Sequence, residues 1–166
     1  MTKKPLHALF TGSFDPVTIG HEDMIRRASA LFDRVTVAVF INKDKTGAFS
    51  PSERVELLEK LCLPYPNVDV TRDDGMVADF VLREGIDLIL RSVRNEKDLA
   101  YEKEMAAFNK AHCGKETVLL LADEAHAEIS STEVRRRLSC GEDIRALVPA
   151  VILDDVLNLQ KKANKD

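Results

Sequence analysis

The stretch Leu6-His7-Ala8-Leu9-Phe10-Thr11-Gly12-Ser13-Phe14-Asp15-Pro16, continued by Gly20-His21, decides the fold of this chain. Leu6 to Phe10 is a short apolar run without clear polar alternation, which suits a strand covered on both faces. A glycine turn follows, and a helical pattern runs from Gly20 to Phe32. Strand, turn and helix in that order are the first half of a βαβ unit.

The alternation continues outward from there. Val35 to Ile41, Val68 to Thr71, Asp87 to Leu90 and Thr117 to Leu121 read as further buried strands. Ser50-Pro51-Ser52-Glu53 opens a second helix: Ser50 caps, Pro51 suits the first turn, and Glu53 completes a capping box. Met76 to Arg83 forms a short third helix that stops near Gly85, and Asp98 to His112 forms a fourth that Gly114 ends. Ser130-Ser131-Thr132-Glu133 is a second capping box, opening a helix toward Cys140 and Gly141, and Pro149 to Lys162 makes a C-terminal helix. Neither an internal repeat nor a low-complexity linker interrupts this pattern. It predicts an α/β fold: a doubly wound, Rossmann-like, five-stranded parallel sheet with right-handed crossovers and helices on both faces. The expectation is a single domain over residues 1–166, with 151–166 as C-terminal helix and tail.

Composition bounds the function. A chain of 166 residues suits one domain and buries roughly 70% of its unfolded surface without staples. A net charge of −4 and a pI near 5.6 argue against a general nucleic-acid partner, though not against a local basic cleft. Cys62, Cys113 and Cys140 are far apart and show no zinc or disulfide spacing, so reduced thiols are expected. No signal-peptide pattern follows Met1, and no apolar run approaches ~20 residues, so the expected setting is the cytoplasm, without a membrane partner.

In a doubly wound sheet, ligands bind beyond the carboxyl ends of the strands. The polar clusters here all follow strands: Thr11 to Pro16 with Gly20-His21, Asn42 to Lys45, Arg72 to Gly75, Arg91 to Arg94, and Asp123 to His126 with Ser130 to Thr132. Polar residues are ordinary in loops, but Gly, Ser, His, Lys, Arg and a helix start are the parts of a phosphate site. Gly12 allows close backbone approach and Ser13 offers a hydroxyl. His21, protonated or as a neutral donor, lies where a helix N-terminus favours an anion and can stabilise charge on a transferring phosphate. Arg91 follows a buried run, and Arg91 and Arg94 can each grip a phosphate or instead pair with Glu96 or Asp98. Lys43 and Lys45 are equal candidates on these grounds. Glu102 and Tyr101, on a helix, carry little weight, as do His112 and His126. Arg135, Arg136 and Arg137 point in different directions and read mostly as surface. No HExxH, EF-hand or Walker motif is present, and the Gly12 loop is too short for GxGxxG, which moves hydride transfer and P-loop chemistry down.

Gly12-Ser13-Phe14-Asp15-Pro16 with Thr18-Ile19-Gly20-His21, together with Ile129-Ser130-Ser131-Thr132, resembles the nucleotidyltransferase superfamily and its T/HxGH motif. Within it, Arg91-Ser92-Val93-Arg94 followed by Asp98, Tyr101-Glu102 and Asn109 is similar to the R-G-x-R…D-x-x-Y-E…N pattern of bacterial phosphopantetheine adenylyltransferases, to about Val151. Nicotinate mononucleotide adenylyltransferases share a related motif. They usually place histidine where Thr18 stands and run longer between the two motifs, which here lie 108 positions apart, from His21 to Ile129. Departures from the pantetheine pattern are Thr11 in place of proline, Ser92 in place of glycine, and His126 near the adenine position.

The resemblance implies transfer of AMP from ATP to 4′-phosphopantetheine, with Mg²⁺ accompanying ATP and no protein metal cage. A non-catalytic nucleotide-binding module is the alternative of a different class. The implied catalytic residues are His21, Lys45 and Arg94. ATP would be bound by Ser13, Phe14, His21, Ser92, Val93, Arg94, Glu102 and the loop His126, Ala127, Glu128, Ile129, Ser130, Ser131 and Thr132. The acceptor would be bound by Ser13, Lys45, Val77 and Arg91. A homohexamer and feedback binding of coenzyme A are implied as well.

Overall fold

The computed structural model describes residues 4–164. Five parallel strands form its sheet: β1 (His7–Gly12), β2 (Arg34–Phe40), β3 (Val68–Asp73), β4 (Leu88–Val93) and β5 (Glu116–Leu121), in the order β3-β2-β1-β4-β5. The predicted α/β class and all five strands are present. Alternate residues of β1 go to opposite faces, as a strand's period of two requires: Leu9 joins one core cluster and Phe10 the other.

Six α-helices cover the sheet: α1 (Ile19–Leu31), α2 (Pro51–Cys62), α3 (Val77–Arg83), α4 (Glu96–Cys113), α5 (Ser131–Cys140) and α6 (Leu153–Ala163). The larger core packs α1, α2, α5 and α6 on one face through Met24, Ile25, Leu58, Val134 and Val156. The smaller core packs α3 and the end of α4 on the other face through Ala78, Phe80, Val81 and Cys113. The Ser50 capping box of α2 is complete, with Pro51 in the first turn. Ser130 caps α5 by accepting from the Glu133 N–H, but Glu133 turns away to Arg136 and Arg137, so the second box is only half formed.

Three boundaries differ from the sequence reading for one reason. β1 runs on through Thr11-Gly12, β3 through Arg72-Asp73, and β4 through Arg91-Ser92-Val93. These residues are polar because they line the rim, and their backbones still pair with a neighbouring strand. Arg91 is therefore a strand residue, opposite Leu119, rather than a loop residue after a strand. The C-terminal helix begins later than Pro149, after a 3-10 turn at Ala150–Ile152. Residues 1–3 and 165–166 of the expected single domain lie outside the described residues.

The central pair of strands creates the crevice. β1 and β4 pair only over Ala8↔Leu88, Leu9↔Ile89 and Phe10↔Leu90, whereas β1 stays with β2 as far as Gly12↔Val39, and β4 with β5 as far as Val93↔Leu121. Beyond Phe10 and Leu90 the sheet therefore splits, and Thr11-Gly12 faces Arg91-Ser92 across the gap.

α4 ends as the sequence predicts, on Gly114 at φ 69° with its N–H on the Lys110 carbonyl. A Cβ there meets no atom within 4 Å, so the cost of a side chain is conformational alone. Gly114→Ala is expected to lower stability by about 1–2 kcal/mol, read from the urea midpoint, while kinetic constants stay unchanged.

Candidate active site

A cleft of about 400 Å³ opens where β1 and β4 part. Its walls come from the end of β1 (Phe10 to Ser13), the start of α1 (Thr18, Gly20, His21), β4 and its exit (Arg91, Ser92, Arg94), and the segment entering α5 (His126, Ile129 to Thr132). Three of the five strand-end clusters named from the sequence line this cleft; Asn42 to Lys45 and Arg72 to Gly75 do not.

His21 is set by helix capping. Thr18 is the N-cap of α1 and accepts from the His21 N–H, while the Thr18 N–H donates to His21 Nδ1 at 3.0 Å. This is a reciprocal capping box with histidine where glutamate or glutamine usually stands. A backbone N–H can only donate, so Nδ1 is an acceptor and the neutral ring carries its hydrogen on Nε2. Nε2 has no partner among the described residues and is free for a ligand. Burial, then the nearby charges of Arg91 and Arg94, push the His21 pKa down to about 4. At neutral pH the ring is an uncharged donor. The Phe14 ring stacks edge-on beneath it, with centroids 4.9 Å apart. The Ile19 N–H goes to the Leu147 carbonyl, which leaves the Gly20 N–H as the open backbone donor of that turn.

The loop between β1 and α1 is bent tightly. Phe14 has φ 46°, and the Asp15–Pro16 bond is cis. The Phe14 ring is buried and does not line the cleft; it fills the space against Gly12, where a Cβ falls 3.2 Å from the ring. Gly12 thus makes room for Phe14, a different reason for a glycine than approach to phosphate. Ser131 Oγ donates to the Pro16 carbonyl at 2.8 Å, tying the start of α5 to the loop.

The arginines are already engaged. Arg91 Nε and Nη2 grip the Glu102 carboxylate at 2.8–3.0 Å, and Nη1 donates to Thr11 Oγ1 at 2.9 Å and to the Thr11 carbonyl. Glu102 is 5% exposed, so the pair is a buried one. The Arg91 partner is neither Glu96 nor Asp98. Arg94 does pair with Asp98, at 2.8 Å, and holds that carboxyl below its usual range. Its Nη1 also reaches the Ile129 carbonyl. Arg135, read as surface, lines the cleft and donates to the Asp15 carbonyl at 2.6 Å; Arg136 and Arg137 do pair on the surface with Glu133.

Behind the Arg91–Glu102 pair lies a smaller cavity of about 110 Å³, lined by Val77, Met105, Ala106 and Asn109 among others. The buried Thr117 hydroxyl in its wall has no partner among the described residues. Val77 therefore neighbours the cleft through a shared wall of Thr11, Arg91, Tyr101 and Glu102. Lys45 is exposed in the loop after β2 and lies outside the cleft lining; buried Val93, and Ala127 and Glu128, also lie outside it. Lys43 is held by Asp74 at 2.7 Å, which separates the two lysines that the sequence left equal. His126 lines the cleft with its Nδ1 buried and without a partner among the described residues. No group of three potential metal ligands occurs among the described residues, and both carboxylates in the cleft wall are taken by arginines.

Residues 9–137 match the cytidylyltransferase-like family model. The chain is 40% identical over 149 residues to the phosphopantetheine adenylyltransferase of Clostridium perfringens, covering 89% of this chain and 91% of that one. It is 43% identical over 148 residues to the enzyme of the same name from Leuconostoc citreum, covering 89% and 94%. The chain belongs to the phosphopantetheine adenylyltransferase family. The relative of that name from Clostridium tetani is 37% identical over 158 residues, covering 95% of this chain and 97% of its own. A crystal structure described as a candidate nicotinate-nucleotide adenylyltransferase from Vibrio parahaemolyticus has a TM-score of 0.58 at 23% identity, over 89% of this chain and 96% of that one, which shows the shared fold.

The depressed His21 pKa has a signed consequence. Between about pH 4 and 6.5 the unfolded chain binds a proton at position 21 that the folded chain does not, so stability rises with pH through that window. The contribution is complete above pH 6.5 and is lost as pH falls toward 4. NMR titration is expected to find His21 with an Nε2–H resonance, still neutral at pH 6. A normal midpoint near 6.5 or an Nδ1–H tautomer contradicts the geometry.

Proposed function

We propose that this chain transfers AMP from Mg–ATP to the phosphate of 4′-phosphopantetheine, giving dephospho-coenzyme A and pyrophosphate. The carrying observation is His21: its Nδ1 is pinned by Thr18, and its free Nε2 lies in a cleft that also holds Arg91 and Arg94. Family membership supplies the acceptor.

The reaction is an in-line displacement. An acceptor phosphate oxygen attacks the α-phosphorus, the bond to the bridging oxygen breaks, and pyrophosphate departs with both its electrons. The attacking oxygen is already anionic, so no general base is required. The protein's part is alignment and charge stabilisation. His21 donates from neutral Nε2 to the α-phosphate oxygens and the Gly20 N–H donates beside it. A neutral ring gains strength as that oxygen gains charge, without exchanging a proton. Arg94, together with Ser92, Val93, Glu102 and the segment His126 to Thr132, makes the ATP side. Ser13 touches both substrates, with Phe14 contributing its main chain. Arg91, Val77 and Lys45 make the acceptor side, and the cavity beside Val77 suits an uncharged arm. Arg91 spends four of its five N–H donors on Glu102 and Thr11, so it acts on the acceptor chiefly as a fixed positive edge. Mg²⁺ enters as part of the ATP substrate, held by phosphates and water, in keeping with a cleft whose carboxylates are occupied.

The setting follows the family. We propose one catalytic domain, working in the cytoplasm as a homohexamer and open to feedback by coenzyme A. Exposed Leu99, Tyr101 and Phe108 on α4, with Met76 and Leu82 at α3, support self-association. No helix among the described residues is long and apolar enough to cross a membrane.

The test is pyrophosphate release from Mg–ATP with each acceptor alone. Release is expected with 4′-phosphopantetheine; release only with nicotinate mononucleotide overturns the acceptor, and release with neither overturns the enzyme. His21→Ala is expected to lower kcat about 10²–10³-fold, the cost of one transition-state donor. A change confined to KM removes His21 from that role.

A further inference from the structure

Asp15 belongs to the loop between β1 and α1, is 7% exposed, and does not line the cleft. Its carboxylate faces the chain entering α2: Oδ2 accepts from the Ala48 N–H and Oδ1 from the Phe49 N–H, both at 2.9 Å. Arg54 Nε stands 3.4 Å from Oδ1, and Arg135 Nη1 stands 3.9 Å from Oδ2. Arg54 is itself buried and donates to the carbonyls of Phe49 and Ser13, so the same cluster grips both loops. Gly47 is needed there because a Cβ at that position falls on the Arg54 guanidinium. Phe49 then anchors in the larger core.

The segment ahead of this anchor has little else to hold it. Asn42 to Thr46 are all exposed. Their internal bonds are local, from the Asp44 and Lys45 N–H groups to Asn42, and Lys43 leans outward to Asp74. On the β2 side, the Ile41 N–H binds the Asp73 carbonyl. Lys45 is thus strung between the end of β2 and the Asp15 carboxylate. Two residues, Thr46 and Gly47, lie between it and Ala48, a span of at most roughly 11 Å.

We propose that Asp15 is a positioning residue for the acceptor half of the site: it fastens the Lys45 loop to the loop between β1 and α1 and so sets where Lys45 stands relative to Ser13 and His21. The proposal rests on the reading of Lys45 as an acceptor ligand. A carboxylate suits the task because it accepts from two successive N–H groups at once. An asparagine supplies one acceptor and turns its NH₂ against the other N–H, leaving a buried donor unsatisfied.

The experiment is a double-mutant cycle with each substrate varied separately: wild type, Asp15→Asn, Lys45→Ala and the pair. Asp15→Asn is expected to lower kcat/KM for 4′-phosphopantetheine about 100-fold, as a misplaced binding group does, with the KM for ATP near wild type. Lys45→Ala shows a loss of the same kind, and the double variant is no worse than Lys45→Ala alone. Additive losses, or an equal loss on the ATP side, assign Asp15 a merely structural role and overturn the proposal. An inert Lys45→Ala in an enzyme that still turns over removes the Lys45 reading and the proposal with it, while the reaction stands. If Asp15→Asn does not fold, a Gly-Gly insertion between Thr46 and Gly47 keeps the Asp15 bonds and lengthens only the tether, at small cost to stability. Loss of acceptor kcat/KM at an unchanged Tm is expected there, and wild-type acceptor kinetics overturn the proposal.

Discussion

The brevity of the pairing between β1 and β4 is the constraint on which the rest of the molecule depends. Three residue pairs join the two halves of the sheet, and each half then continues with its outer partner. A longer seam closes the crevice; a shorter one leaves the halves joined by too few ladder bonds. Arg91 bridges the gap above the seam, donating from β4 to Thr11 of β1 while gripping Glu102 of α4. The opening is therefore rigid: its two lips are held apart at a fixed distance by a guanidinium with little freedom left.

That arrangement governs the electrostatics. Three arginines line the cleft, but Arg91 and Arg94 are each matched by a carboxylate close by. The residual field is directional more than it is strongly positive, which agrees with an acidic chain that must still attract polyphosphate. It also explains why His21 stays neutral. Burial and neighbouring guanidinium groups oppose a charge on the ring, and the Thr18 N–H fixes the tautomer.

Much of this was legible in the sequence, and what was not had physical causes. The strands, the Ser50 cap and the Gly114 stop were readable because apolar runs and cap residues act locally. The strand ends were missed by two or three residues because rim positions are polar in composition and extended in backbone. A helix-capping histidine is one reading of His21 in its tight turn; that Thr18 is its reciprocal partner was not legible, since histidine is not the usual residue at that place in the pattern. Glu102 carried little weight in the sequence because its partner arrives from β4, eleven positions away and on another element. Arg135 was grouped with its two neighbours, yet a helix turns about 100° per residue, so the first of three consecutive arginines faces inward while the next two find Glu133 on the surface. Lys45, Val93, Ala127 and Glu128 themselves lie outside the lining of the cleft.

The reciprocal bonds between Thr18 and His21 bear on how such a site can change over generations. The same imidazole completes the first turn of α1 and presents a donor to the substrate, so folding and chemistry answer to one codon. Glutamate or glutamine there keeps the helix start intact while replacing the donor ring. Histidine and glutamine codons differ by one base, so selection for stability alone can exchange the imidazole for an amide in a single step.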